Sequence, residues 1–145
     1  MDVKMFDIYY ADLRENKKES VQGGIRPVVI VQNNIGNKFS PTVLVLPLTS
    51  VIKKEDQPTH YVVKKSKTNG LKVDSMIIAE QLTVIDKKRL KDYIGHISSE
   101  KEQNEILNTY FANVTGHKKY DNVFTKVINI IFKFIREGNN NGNAA

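Results

Sequence analysis

The chain has no cysteine, and only 4 of its 22 basic residues are arginine, the other 18 being lysine. The first absence excludes disulfides, cysteine-ligated zinc, iron–sulfur clusters and thiol nucleophiles together, and it fits a reducing cytoplasm. No stretch approaches the roughly 20 apolar residues that span a bilayer. Asp2, Lys4, Asp7 and Asp12 interrupt the first dozen positions, so no apolar core of a secretory signal forms there. These features predict a cytosolic protein that is not exported. Neither G-x-x-x-x-G-K-[ST] nor G-x-G-x-x-G occurs, so Gly23-Gly24 is not read as a nucleotide-phosphate cradle, and no G-x-S-x-G elbow is present. His60, His96 and His117 lack the spacing of paired ligands, so no metal and no cofactor is expected. Asn113-Val114-Thr115 matches a glycosylation sequon, but without a secretory signal it is a chance match.

What is present is an ordinary soluble composition: 145 residues, 40% apolar, 26% charged, with a net charge of +6. That length predicts one compact core. The positive excess gathers in Lys53-Lys54, Lys64-Lys65-Lys67 and Lys87-Lys88-Arg89, compatible with a polyanionic partner or simply with a solvated face.

The first hundred residues read as β structure. Phe6 to Leu13 is aromatic-rich and alternates. Pro27 to Gln32 and Thr42 to Leu48 are continuous apolar runs, read as strands covered on both faces. Asn33 to Asn37 reads as a turn cluster between them. Thr59 to Lys64, Ser75 to Ile85 and Tyr93 to Ile97 complete six expected strands, and Asp86 is placed to cap a helical turn through Leu90. Short strands joined by loops predict a curled sheet or barrel, not a parallel α/β sheet.

The apolar period then changes. Ser99 with Glu102 forms a capping-box signature, Ile106, Leu107, Tyr110, Phe111 and Val114 share a helical face, and Gly116 fits the position after the end. A second amphipathic stretch, Asn122 to Arg136, predicts a helix packed on its own domain or on a sister subunit, with a peripheral membrane or partner contact as the lesser reading. The expected organisation is α+β: a domain over 1–116, an appended helix over 117–137 and a mobile tail over 138–145.

Two residues stand out. Arg26 lies between a glycine pair and Pro27, which constrain the backbone on either side, and arginine offers a rigid fork suited to phosphate oxygens where lysine offers a point charge. Thr49 places a hydroxyl at the end of a buried strand. On the residues alone, a structural ion pair for Arg26 and a strand-end cap for Thr49 stand beside a role on a polyanion.

The ordered set Asp7-Ile8-Tyr9-Tyr10-Ala11-Asp12-Leu13, Gln22-Gly23-Gly24-Ile25-Arg26-Pro27, Phe39-Ser40-Pro41-Thr42, Leu48-Thr49, Pro58-Thr59-His60, Glu80-Gln81 and Ile85 to Leu90 closely resembles the MazF/PemK family of type II toxin–antitoxin ribonucleases. The likeness spans about residues 3–115. It implies a small SH3-like barrel of the CcdB/PemK type with a C-terminal helix, a homodimer, metal-independent and sequence-specific cleavage of single-stranded mRNA, and a cognate antitoxin that covers the active site. It carries the catalytic pair onto Arg26 and Thr49, and RNA contacts onto Ser20, Asn33, Glu80 and Gln81.

Without a metal, the nucleophile is the neighbouring 2′-OH, giving a 2′,3′-cyclic phosphate and a 5′-OH. A guanidinium and a hydroxyl donor would stabilise the charge that grows on phosphorus oxygens. Glu80, His60 or no side chain remain open as the base. The chain departs from the family pattern at Phe6, Val21 and Thr83. The last two fall where bases would be read, so an altered recognition sequence is expected. The alternative is a non-catalytic nucleic-acid- or gyrase-binding module of the same fold.

Overall fold

Val28, Val29 and Ile30 are fully buried, as are Val43, Val45 and Leu46, because the strands that carry them are covered on both faces. These strands are β2 (Ile25–Ile30) and β3 (Thr42–Thr49), paired antiparallel with Val28 opposite Pro47 and Ile30 opposite Val45. Successive side chains point to opposite faces, so Val29, Leu46 and Leu48 join one apolar cluster while Val28, Ile30, Val43 and Val45 join another. The structure is a computed structural model and describes residues 1–14 and 22–116, together with scattered helical positions between 127 and 138.

Around this pair the sheet runs β4 (His60–Val63), β5 (Ser75–Ile78), β3, β2, β1 (Asp7–Asp12) and β7 (Leu90–His96), with β6 (Thr83–Asp86) also on β3. Every pairing is antiparallel. Strand β3 serves three neighbours in turn: β6 along Thr42 to Val45, β2 along Val45 to Pro47, and β5 at Leu48 and Thr49. A sheet that changes partners along one strand must bend there, and the bend brings the Thr49 end of β3 towards the β4–β5 hairpin.

The α+β class is as expected, but the barrel is open. Among the described residues no ladder joins β4 to β7. The loop after β4 fills that gap: the His96 N–H donates to the Thr68 carbonyl at 3.1 Å. The approach is so close that a Cβ on Gly95 would lie 2.4 Å from the Asn69 carbonyl carbon, and one on Gly70 would lie 2.2 Å from the Ile94 carbonyl oxygen. Only residues without side chains permit this backbone crossing.

Three further expectations are corrected. Asn33 to Asn37 is not a simple turn; it opens helix α1 (Asn34–Phe39), because the Asn33 side chain accepts the Gly36 N–H and caps it. Ser75 to Ile85 is not one strand. It breaks into β5, a 3-10 turn at Ala79–Gln81, and β6. Tertiary contacts impose the break, since the Ala79 N–H donates to the Thr59 carbonyl at 2.9 Å and the Ala79 carbonyl accepts Asn113 Nδ2 at 2.9 Å. The turn at Lys87–Arg89 forms, but the Asp86 side chain does not cap it.

Helix α2 (Glu100–Thr115) starts at Ser99, whose hydroxyl accepts the Glu102 N–H, and ends at Gly116. Ile106, Thr109 and Ala112 form its buried stripe, with Ile106 fully enclosed. Val114, expected on that face, is 77% exposed, because the buried stripe runs through Ile106, Thr109 and Ala112 and leaves position 114 well round the helix from it. Of the predicted second helix, Val127, Ile130, Ile131, Phe134 and Ile135 are helical, and all are exposed, so packing on the domain is not seen at these positions; the remainder of that segment and the expected tail over 139–145 lie outside the described residues. Among the described residues, no helix is long and apolar enough to cross a membrane.

Candidate active site

The β2–β3 ladder begins with Val28 opposite Pro47; Arg26 lies two residues before it on β2, paired with Ala11 of β1, and Thr49 two residues beyond it on β3, paired with Met76 of β5. Both line one cleft of about 620 Å³, with Tyr10 and Pro27 on one side, Ser50 and Val51 on another, and Gly70 to Val73 of the gap-filling loop on a third. Residues 23 positions apart thus line one cleft from paired strands, a more rigid support than a loop would give.

Arg26 is aimed from within its own segment. Its Nε donates to the Gly23 carbonyl at 2.8 Å, and its NH1 donates to Gln22 Oε1. Gly24 makes this possible by adopting φ +71°, a left-handed conformation that turns the Gly23 carbonyl back beneath the guanidinium. The Gly24 N–H and carbonyl bond to the Arg14 carbonyl and the Leu13 N–H, at 3.0 and 2.9 Å, fixing the base of the hairpin. Desolvation in this half-buried position lowers the guanidinium's pKa from its ordinary value. Two fixed N–H groups leave the rest of the fork for a ligand.

Thr49 is 7% exposed, and its Oγ1 accepts the Val51 N–H at 3.2 Å. The strand-end cap considered for it is therefore real, and it is compatible with a second use, because this contact holds the oxygen without engaging the hydroxyl hydrogen.

The other sequence candidates lie elsewhere. Ser20 is outside the described residues. Asn33 spends its side chain on capping α1. Glu80 and His60 do not line the cleft. They face each other, with His60 Nε2 3.1 Å from Glu80 Oε1 and His60 Nδ1 2.9 Å from the Lys54 carbonyl. Gln81 lines a neighbouring hollow of about 70 Å³ with Thr83 and Arg89, joined to the cleft through the shared residue Gln22. Arg89 is itself held by the Asp12 carbonyl, at 2.7 Å from Nε. Sequence reasoning missed three cleft residues, Gln22, Tyr10 and Lys72. Gln22 stood inside the quoted Gln-Gly-Gly element, and its adjacency to the aimed arginine was the available signal; Lys72 carried no signal beyond charge.

The fold and the cleft define a small α+β protein with a held guanidinium and a buried strand-end hydroxyl in one cleft. Residues 4–109 match the family model of the PemK-like, MazF-like toxin of type II toxin-antitoxin systems, and the chain belongs to that family. It is 47% identical over 100 residues to endoribonuclease EndoA of Bacillus subtilis (strain 168), a match covering 69% of this chain and 84% of that protein. Among solved structures, MazF from Deinococcus radiodurans superposes with a TM-score of 0.64 at 15% identity, over 81% of this chain and 99% of that one. A mycobacterial endoribonuclease in complex with its cognate antitoxin gives 0.63 at 21% identity, over 77% and 94%. At those identities the two structures speak to the fold alone.

Proposed function

We propose that this protein is the endoribonuclease toxin of a type II toxin–antitoxin system, cleaving single-stranded mRNA at a specific sequence by attack of the 2′-OH on the adjacent phosphorus. The observation that carries the reading is that Arg26 of β2 and Thr49 of β3 line the same cleft. As the 2′-OH gives its proton to water and bonds to phosphorus, and the 5′-oxygen leaves and takes a proton from water, charge accumulates on the non-bridging oxygens. The free N–H groups of Arg26 neutralise it, and the Thr49 hydroxyl orients the phosphoryl group by a further hydrogen bond. Because Gln22 and Gly23 already hold the guanidinium, little reorganisation accompanies this step. Neither His60 nor Glu80 serves as the base in this scheme, since neither lines the cleft.

Position matching alone offers Ser20, Asn33, Glu80 and Gln81 as RNA contacts, and this scheme rests on none of them. The protein acts as a cytoplasmic homodimer restrained by a cognate antitoxin, as its family membership supports. The test is product analysis on a long RNA with mapped cut sites. Fragments ending in 2′,3′-cyclic phosphate and 5′-OH, insensitive to EDTA, are expected, and Arg26→Ala should cleave on the order of 10²–10³ more slowly. Parental cleavage by Arg26→Ala would refute the assignment. Intact RNA with a gel shift would establish the binding-module alternative instead.

A further inference from the structure

Glu80 and Gln81 are adjacent in one 3-10 turn, and their side chains reach different partners, His60 and Gln22. Gln81 Oε1 accepts the Gln22 N–H at 2.7 Å, and Gln22 Oε1 in turn accepts from the Arg26 guanidinium. Glu80 Oε1 meets His60 Nε2 at 3.1 Å, while His60 Nδ1 reaches the Lys54 carbonyl at 2.9 Å. Lys54 sits at φ +53°, a strained conformation for a residue with a side chain, in the loop that leaves Thr49 and supplies Ser50 and Val51 to the cleft. His60 itself is only 8% exposed. The turn is a firm support for both arms: Ala79 is fully buried, tied to Thr59 on one side and to Asn113 of α2 on the other.

We propose that the Ala79–Gln81 turn is a two-armed brace for the active site, in which Gln81 positions Arg26 through Gln22 and Glu80 positions the Thr49 loop through His60. This rests on the reading of Arg26 and Thr49 as the reacting pair. Glu80 and Gln81 are then positioning residues, acting on rate through groups they hold and not by grasping RNA. The two arms converge on a turn that never touches the cleft, so the spacing of the guanidinium from the hydroxyl is set from behind.

Single-turnover cleavage of an oligoribonucleotide carrying a mapped cut site tests this, with the full-length protein in excess. Gln81→Ala and Glu80→Ala should each lower the limiting rate about tenfold, while the half-saturating protein concentration stays within about twofold. Glu80→Gln and Gln81→Glu, which keep an acceptor oxygen, should restore most of that rate. In an Arg26→Ala background, Gln81→Ala should add no further loss, because its effect passes through Arg26. Gln22→Ala cuts the same relay at its other end and should reproduce the Gln81→Ala rate if that variant folds poorly.

A raised half-saturation with an unchanged limiting rate would overturn the brace in favour of direct RNA contact. A Gln81→Ala loss that persists undiminished without Arg26 would overturn it as a general effect on folding. If Arg26→Ala is slow while Gln81→Ala and Glu80→Ala run at the parental rate, the brace alone fails; a fast Arg26→Ala fails the site assignment itself.

Discussion

Replacing Gly95 by alanine tests the way the open sheet is closed. A Cβ there would stand 2.4 and 2.5 Å from the Asn69 carbonyl carbon and oxygen and 2.6 Å from the Thr68 oxygen. All three obstacles are backbone, so no flexible side chain can swing aside. The Thr68 carbonyl is also the acceptor for the His96 N–H, so relieving the clash means giving up that bond or shifting β7. Overpacking ordinarily costs about 1–3 kcal/mol. Three backbone contacts at these distances put Gly95→Ala near the top, about 3 kcal/mol, or a fall in Tm of about 10 °C for a domain of this size. The displaced loop carries Gly70, Leu71 and Lys72 of the cleft wall, so cleavage should fall together with stability. Gly24→Ala is the control: it meets no atom within 4 Å, and only its φ of +71° opposes a side chain, at about 1–2 kcal/mol. Urea denaturation of both variants and single-turnover cleavage by Gly95→Ala decide the matter. A Gly95→Ala protein with parental midpoint and parental rate would refute the claim that this crossing holds the wall in place.

Arg26→Lys keeps the charge but loses the fork and the Nε contact to Gly23, so cleavage should fall about 10²-fold with Tm nearly unchanged; a rate within threefold of the parent would show that a point charge suffices. Ile106→Ala empties a fully enclosed position under α2 and should cost about 2–5 kcal/mol by urea denaturation, whereas Val114→Ala, at an exposed position, should stay within about 0.5 kcal/mol. The Lys65 N–H, and after it the Lys64 ammonium, hold the Asp74 carboxyl below its ordinary value of 3.8. A carboxylate lowered in the folded state contributes its full stabilisation above the ordinary value and loses it as the pH falls through the lowered one. Melting curves between about pH 5 and pH 2 should therefore be flatter in Asp74→Asn than in the parent.

The parts of the fold legible in the sequence were those fixed by local pattern. The unbroken apolar runs of β2 and β3 required cover on both faces, and Ser99, Glu102 and Gly116 marked α2 at both ends. What escaped was set by contacts between distant residues. Nothing in Ser75 to Ile85 breaks a strand locally; the break at Ala79 comes from Thr59 and Asn113. In Asn33 to Asn37, Gly36 disguised a capped helix as a turn. The candidate site was marked in the sequence by Arg26, scarce and flanked by backbone constraints, and by Thr49 at a strand end, with the family resemblance favouring a shared role. The part of Gln22 was half legible, through Arg26 four residues on; its tie to Gln81, 59 residues away in another element, was not.

The ladder between β1 and β7 pairs Asp7 with His96 and Ala11 with Leu90, residues some 80–90 positions apart. Such a pairing must wait for the intervening chain, both in refolding and on the ribosome, where the amino-terminal part emerges first. A growing polypeptide can assemble β2 and β3, and with them Arg26 and Thr49, before β7 exists. It cannot yet seat the Thr68–Gly70 backbone against Ile94 to His96, so the third wall of the cleft has no anchor. If Arg26 and Thr49 are the reacting pair as proposed, competence to cut arrives late in synthesis, after most of the message that encodes the chain has already been read.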